Sequence, residues 1–400
     1  MVLGGGASGM TAAIAAAEQG AEVVLLERQA RLGRKLAATG NGRCNLTNLH
    51  AAQGCCHGEN PDFCRPALER FGVSDTLNRF RGLGLLTVSE PSGRVYPYSD
   101  QANSVLDVLR FSLERLGVRV ITGCEVKKIW ARRDGYLLKT TSGDFKGDRL
   151  IVAAGGMAGG KLGGSDMGYK LLESMGHRCT RLFPALVQLM VEDSATRALK
   201  GVRAQAALEV WNDKTLLARN EGEVQFTETG VSGPAVFEIS RSASVNGPGL
   251  LLRLDFTPHL ERDELTALLT ARREACPGLT ADELLTGMLH NRLGRVLVKK
   301  AGISAAAPLA TLDGGALACT VEAVKGFTLV FSETQGFDSA QVTAGGMVTA
   351  DFDPQTMQSR LRPGLYACGE VLDVDGDCGG FNLQWAWSSG RLAGISAASG

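Results

Sequence analysis

No C-x-x-C pair occurs among the ten cysteines of this chain, which removes both a thioredoxin-like redox motif and the ligand spacing of a zinc ribbon. The nearest approach to a metal cluster is CCHGENPDFC, with Cys55, Cys56, His57 and Cys64. Adjacent cysteines have difficulty chelating one ion, so no metal is expected there. Net charge is missing too. The 42 basic and 42 acidic side chains cancel, leaving no bulk field to gather nucleic acid or an anionic membrane, and a nucleic-acid partner is not expected. No apolar run approaches the roughly 20 residues of a membrane helix, and no basic segment followed by an apolar one opens the chain. A cytoplasmic protein with reduced thiols is expected. Of the five histidines none sits in a Ser-His-Asp or Cys-His pattern, so no nucleophilic unit stands out.

What is present begins at the start. MVLGGGASGMTAAIAAAEQGAEVVLLERQ holds Gly4-x-Gly6-x-x-Gly9, an alanine-rich helix, and the apolar run Val23 to Leu26 ending in Glu27. Strand, turn, helix and strand with a downstream acidic residue form the dinucleotide fingerprint. Gly4 permits the tight turn, Gly6 lets backbone approach a pyrophosphate, and Gly9 lets helix and strand pack closely. Ala7 and Ser8 open the helix, whose N–H groups and positive dipole end face phosphate. Glu27 is expected to accept from ribose hydroxyls, with Arg28 beside it. Only Met1, Val2 and Leu3 precede the glycines, fewer than the usual five or six residues of a strand, so the first strand is short or the chain trimmed.

The next segment, RQARLGRKLAATGNGRCNLTN, alternates Gly33, Gly40 and Gly42 with Arg34, Lys35 and Arg43. A loop of this kind can wrap an extended cofactor with backbone N–H groups and cations. Its run GRKLAATGNGRCNLTN resembles the GRK-x(4)-GNGRCN-x-TN signature of the flavoprotein family that includes the 3-dehydro-bile acid delta-4,6-reductase. The same family is also carried under the name aminoacetone oxidase family, among flavoproteins with two dinucleotide-binding domains. The resemblance implies FAD, held by Arg34, Lys35, Thr39, Gly40, Asn41, Gly42, Arg43, Cys44 and Asn45 together with the first glycines. Cys44 reads as a buried thiol within that loop, since it has no neighbouring cysteine to exchange with.

The resemblance continues along nearly the whole chain. SGRVYPYSD is similar to the family's GR-V-aromatic-P turn, carried by Arg94, Tyr96 and Pro97. SVLDVLRFSLERL has apolar residues at helical spacing and VRVITGCEV reads as strands, with Glu125 and Val126 where the superfamily presents backbone to adenine. DRLIVAAGG is a buried strand running into Ala154, Gly155 and Gly156. A rival reading, the P-loop Gly155-x(4)-Gly160-Lys161, fails at Leu162, where a Ser or Thr would hold magnesium. From about residue 186 short alternating runs indicate an antiparallel sheet or small barrel. TETGVSGPAVFEIS is similar to the family's FTH-x-G-x-SGPA motif but carries Glu228 at the usual histidine position. ERDELTALLTARREA and TADELLTGMLHNRLGRVLVKKAG show a 3.6 period, the second opened by a Thr280 cap with Glu283. PGLYACGEVLDVDG then ends a strand at Gly369 and Glu370, with Asp375 on the ribityl side. In GGFNLQWAWSSGRLAG, a helix start at Gly380, Phe381, Asn382 and Leu383 faces the flavin ring, where its dipole stabilises negative charge.

The expected architecture is α/β. A Rossmann-like FAD-binding domain, residues 1–185 and 340–400, carries an insert at 186–339, antiparallel β over 186–258 and mainly helical over 259–339. The expected activity, by resemblance, is an FAD-dependent oxidoreductase taking hydride from NAD(P)H and reducing an unsaturated carbonyl such as a steroid or bile acid enone. Tyr96, Tyr98 or Arg94 are candidate proton donors. No second complete G-x-G-x-x-G is present, so nicotinamide binds transiently or another donor serves. Two alternatives stand: a small-amine oxidase releasing hydrogen peroxide, and a flavoprotein acting on RNA.

Overall fold

Two residues suffice for the first strand because both of its edges are covered. In the computed structural model, which describes residues 1–51 and 54–399, β1 (Val2–Leu3) pairs in parallel with β2 (Val24–Leu26) and with the strand Leu150–Val152. Strands Leu365–Ala367 and Arg119–Ile121 complete a five-stranded sheet, every neighbouring pair parallel. A parallel sheet is buried on both faces, which is why Val2–Leu3, Val24–Leu26, Leu150–Val152 and Leu365–Ala367 are unbroken apolar runs rather than alternating ones, while the edge strand Arg119–Ile121 is largely exposed. Leu150, Ile151 and Val152 are all buried.

The helix α1 (Ala7–Glu18) follows β1 at once. Its alanines have a packing reason. The C-terminal helix, Phe381–Ser399, crosses it so closely that a Cβ on Gly390 would lie 2.4 Å from the Ser8 carbonyl oxygen, and one on Gly394 2.3 Å from that of Ala12. Small residues on both helices allow this backbone-to-backbone approach, and burial on every side leaves no polar stripe.

The polar groups of the C-terminal helix are satisfied inside the protein. Fully buried Gln384 accepts from Thr47 Oγ1 at 2.6 Å and donates to the Phe71 carbonyl, Thr76 Oγ1 and Ser388 Oγ at 3.2, 2.9 and 2.9 Å. Trp387 Nε1 donates to the Leu46 carbonyl at 2.9 Å. Removing any one partner would strand a buried polar group, so this network holds residues 46 and 47 in register with the helix.

The chain forms two compact units, Met1–Phe183 with Phe337–Gly400, and Pro184–Gly336. The borders fall at 183/184 and 336/337 rather than at 185/186 and 339/340. Within the second unit six strands close a barrel in the order Leu189–Val191, Gly230–Ser232, Thr215–Phe226, Arg203–Asn212, Leu251–Asp255 and Phe327–Thr334. The half expected to be mainly helical therefore returns to the sheet, because Phe327–Thr334 pairs with Leu189–Val191 and closes it.

One helix departs from the expected reading. Glu283 Oε2 does accept from the Thr280 N–H at 2.9 Å, but the turn is a single 3-10 turn, Ala281–Glu283. Gly287 at φ +82° breaks the path. A helix restarts only at Asn291–Lys300, where His290 Nδ1 accepts from the Arg292 N–H.

The close helix crossing makes a prediction. Gly390→Val should lower stability by about 3 kcal/mol or more through overpacking, whereas Gly278→Ala, with open space around it, should move it by less than about 1 kcal/mol. Thermal and urea unfolding of the two variants measures the difference.

Candidate functional site

At the carboxyl ends of the parallel strands the three fingerprint glycines do three different jobs. Gly4 takes φ +106°, and a Cβ there would sit 2.3 Å from the Ala153 carbonyl oxygen. A Cβ on Gly9 would lie 1.8 Å from the Gly4 oxygen. Gly6 is the opposite case: a Cβ would meet nothing within 4 Å, and no side chain caps the helix that starts there with Ala7 and Ser8. Its first N–H groups are therefore open to an anion. Glu27 closes this end, with Oε2 accepting from the Gly5 N–H and Oε1 from the Gln29 N–H, each at 2.7 Å. Two carboxylate oxygens retain further lone pairs for hydroxyl donors.

The glycine-rich loop is not a continuous helix. A short helix α2 (Arg34–Ala38) starts from left-handed Gly33, and Gly40, Asn41, Gly42 and Cys44 then take φ values of +57°, +56°, +85° and +62°. Such a path needs glycine, or the asparagine that tolerates it best, so GNG is written into the motif by backbone geometry. Thr39 Oγ1 bonds back to the Leu36 carbonyl. Cys44 is wholly buried, and that burial pushes its thiol up to about 12, which makes it a poor nucleophile.

The cations of this region divide. Lys35 Nζ meets Glu370 Oε2 at 2.7 Å, while Glu370 Oε1 accepts from the Thr343 N–H at 2.8 Å. Arg28 donates to the carbonyls of Gly163 and Gly164, and Arg34 to that of Lys161. Both arginines, expected from the sequence to face cofactor, here hold the segment that resembled a P-loop, Arg34 at the turn Gly160–Leu162 and Arg28 at the two glycines after it. Arg43 lies over the Tyr96 ring at 4.0 Å, with Glu90 and Asp100 at 3.4 and 3.5 Å.

The C-terminal block returns to the carboxyl ends of the same strands. A Cβ on Gly369 (φ +74°) would be 2.4 Å from Ser8 Oγ, and Gly369 N–H donates to Ser389 Oγ. Ala154 and Gly155 leave the neighbouring strand beside Gly4, and Gly155, at φ +71°, has open space around it. Gly379 and Gly380, at φ +131° and +104°, lead into the C-terminal helix. A Cβ on Gly380 would lie 2.5 Å from the Thr47 carbonyl and 3.0 Å from Asn45 Oδ1. Phe381, Asn382 and Leu383 are the part-exposed first turn of a helix whose next seven residues are buried. Asn382 turns back, accepting from the Gly376 N–H and donating to its carbonyl, each at 2.8 Å, so its side chain braces the turn. Asp375 is buried in the ribbon Asp375–Gly376, which pairs with β4 (Cys56–His57); β3 (Thr47–Asn48) lies on the strand Arg94–Pro97. Val126 begins the strand Val126–Arg132 and is buried. Tyr96 is 4% exposed and Tyr98 72% exposed, which separates the two tyrosines offered by the sequence.

Other motifs are used elsewhere. His57 pairs with Asp377 at 2.6 Å and Cys64 donates to the Pro61 carbonyl. Glu228 is exposed and paired with Lys200, which holds its carboxyl below the ordinary range. Sequence reasoning missed Thr343, Gln384, Ser389 and Asn48. The polar pair Ser388–Ser389 and Gln384 inside an otherwise apolar helix was the available signal, since buried polar groups require partners.

Asn45 is 9% exposed and its Oδ1 has no partner. An orphaned acceptor beside Gly380, open space at Gly6 and Gly155, and an uncapped α1 together fit a dinucleotide carrying a ring N–H.

The match to known proteins agrees with this geometry. Residues 1–396 match the family described as HI0933-like protein Rossmann domain, and the chain belongs to that family. It is 42% identical to the 3-dehydro-bile acid delta(4,6)-reductase of Clostridium scindens, over 99% of this chain and 98% of the relative. It is 30% identical to the ribosomal RNA dihydrouridine synthase of Escherichia coli, over 97% and 95%. A solved FrdA variant of E. coli quinol fumarate reductase superposes with a TM-score of 0.50 at 16% identity, over 99% of this chain and 69% of that one, and shares the fold. The protein is an FAD-dependent oxidoreductase. Among the described residues no helix is long and apolar enough to cross a membrane.

The glycine geometry separates binding from folding. Gly6→Val should leave circular dichroism and solubility intact while abolishing the flavin absorbance of the purified protein, whereas Gly9→Val should fail to fold, since its side chain meets backbone at 1.8 Å. Retention of full flavin absorbance by Gly6→Val would remove the phosphate site from α1.

Proposed function

We propose that this protein takes hydride from NAD(P)H and delivers it to a carbon–carbon double bond conjugated to a carbonyl, in a small molecule of steroid or bile acid type. The observation that carries the reading is that the uncapped α1, the left-handed loop and the C-terminal block with its open first helical turn are brought together through Ser8–Gly369, Lys35–Glu370 and Asn45–Gly380. The relatives' names favour the same reaction class. A delta(4,6)-reductase and a dihydrouridine synthase both name the saturation of a double bond, and in uridine that bond is conjugated to a carbonyl.

Bound FAD supplies the hydride relay; the protein supplies orientation and charge. In this reading Glu27 receives the ribose hydroxyls and α1 the pyrophosphate. Gly40, Asn41 and Gly42 present backbone to the flavin, with Asn45 Oδ1 accepting a ring N–H. The first turn of the C-terminal helix would offer its positive end to the bound ring and favour negative charge there. Saturating a double bond also needs a proton, and Tyr96 is the group we assign. Burial, opposed by Arg43, raises its phenol above the ordinary range. The group thus stays protonated at neutral pH and available as a donor.

The second reading rests on the dihydrouridine synthase relative, matched over 97% of this chain. Its acceptor would be a uracil base in ribosomal RNA.

Anaerobic addition of NADH and then NADPH to the yellow protein should bleach the flavin, and a steroid enone should restore its colour. Reoxidation by undermodified ribosomal RNA but by no enone would favour the second reading, and a flavin that neither nucleotide bleaches would sink the nicotinamide donor. Tyr96→Phe should keep the flavin spectrum and flavin reduction rate while slowing enone-driven reoxidation by about 10²–10⁴-fold; an unchanged rate assigns the proton to another source.

A further inference from the structure

Arg94 stands apart from the other cations of the site. Arg28 and Arg34 are bonded to carbonyls, Lys35 to Glu370, and Arg43 is flanked by Glu90 and Asp100. Among the described residues the Arg94 guanidinium has neither an ion pair nor a hydrogen bond, although the residue is half-buried. Its place is specific. Arg94 Nε and Asn48 Nδ2 each lie 3.4 Å from where a Cβ on Gly379 would be, so both nitrogens stand against the glycine turn. On the other side of Gly380 stands the orphaned Asn45 Oδ1. Arg94 and Asn45 thus stand against the two glycines that lead into the C-terminal helix.

A half-buried charge without a partner is costly, and proteins keep such groups where a ligand completes them. A guanidinium does not release its proton at physiological pH, so it cannot be the acid that protonates a substrate carbon. What it does well is grip a planar anion through two parallel hydrogen bonds.

We propose that Arg94 is a specificity residue that anchors a carboxylate on the substrate, so that the preferred acceptor is an apolar enone with an acidic tail rather than a neutral steroid. Asn48 Nδ2, which already donates to the Gly379 carbonyl at 2.9 Å, holds the glycine turn that shapes the anchor point. The inference rests on the enone reading for its substrate class, yet the anchor can be measured without turnover.

The experiment has two arms. In the first, isothermal titration calorimetry compares cholate with its methyl ester on the flavin-loaded wild-type protein, on Arg94→Gln and on Arg94→Lys. The acid should bind more tightly than the ester to wild type, and the acid-to-ester ratio should fall about 10- to 100-fold in Arg94→Gln, as expected for a hydrogen-bonded charge, with part of it kept by Arg94→Lys. In the second, kcat/KM is measured for an enone acid and its methyl ester, where the same ratio should fall mainly through KM. On wild type alone, rising salt should erode the preference for the acid, which tests the anchor even where a variant fails to fold. Equal binding of acid and ester by wild type overturns the proposal, as does an unchanged ratio in Arg94→Gln. So does a ribosomal RNA fragment whose binding depends on Arg94 while that of cholate does not. Failure of every enone to be reduced, with the calorimetric preference intact, refutes the enone reading and leaves the anchor standing.

Discussion

Everything in the first unit depends on the backbone contact between its first helix and its last. Ser8 and Ala12 of α1 meet Gly390 and Gly394 of the C-terminal helix with no room for a Cβ, so the helix Phe381–Ser399 is clamped onto the fingerprint helix. That clamp sets the height at which Gly369 passes Ser8 and at which the first turn of the C-terminal helix emerges. A contact of this kind is intolerant because its partners are main chain, which cannot change rotamer to relieve a clash.

The second constraint is polar. Gln384, Trp385, Trp387, Ser388 and Ser389 carry hydrogen-bonding groups into a place without water, and each finds a partner in another segment: Thr47, Gly369, Leu46, Phe71. A fully satisfied buried network adds little net energy but penalises every alternative arrangement. Here it fixes the left-handed loop against the C-terminal helix, so two motifs more than 300 residues apart hold one geometry. The pairing of Lys35 with Glu370 links the same segments but is partly exposed. Its contribution is on the order of 1 kcal/mol, so registry rests on the buried groups.

Much of the fold was legible in order. The parallel strands announced themselves as short unbroken apolar runs, and the glycine fingerprint with Glu27 identified the β1–α1–β2 unit, because those requirements are local. The glycine-rich loop was legible as a motif. Its reason was not, since the left-handed run through Gly40, Asn41, Gly42 and Cys44 appears only in the backbone. Periodicity failed at residues 284–290, where apolar spacing continues across a break made by Gly287. It also hid the return of Phe327–Thr334 to the barrel, a pairing with strands more than 70 residues away. The arginines were legible only as charge: their fates differ because carbonyl oxygens of a distant turn reach Arg28 and Arg34, and among the described residues none reaches Arg94.

The sequence by itself determined the chemistry on offer: a dinucleotide turn, a glycine-rich basic loop, a helix start rich in glycine, and no nucleophilic or metal-binding pattern. These follow from residue types at short spacing, where steric and hydrogen-bonding demands act within a few residues. Only the tertiary structure decided which groups are spent and which remain free. Whether a carboxylate or a guanidinium is satisfied depends on atoms supplied by segments far apart in the chain, and that allocation, which among the described residues leaves Asn45 Oδ1 and the Arg94 guanidinium without hydrogen-bond partners beside one pair of glycines, exists only once the chain has closed on itself.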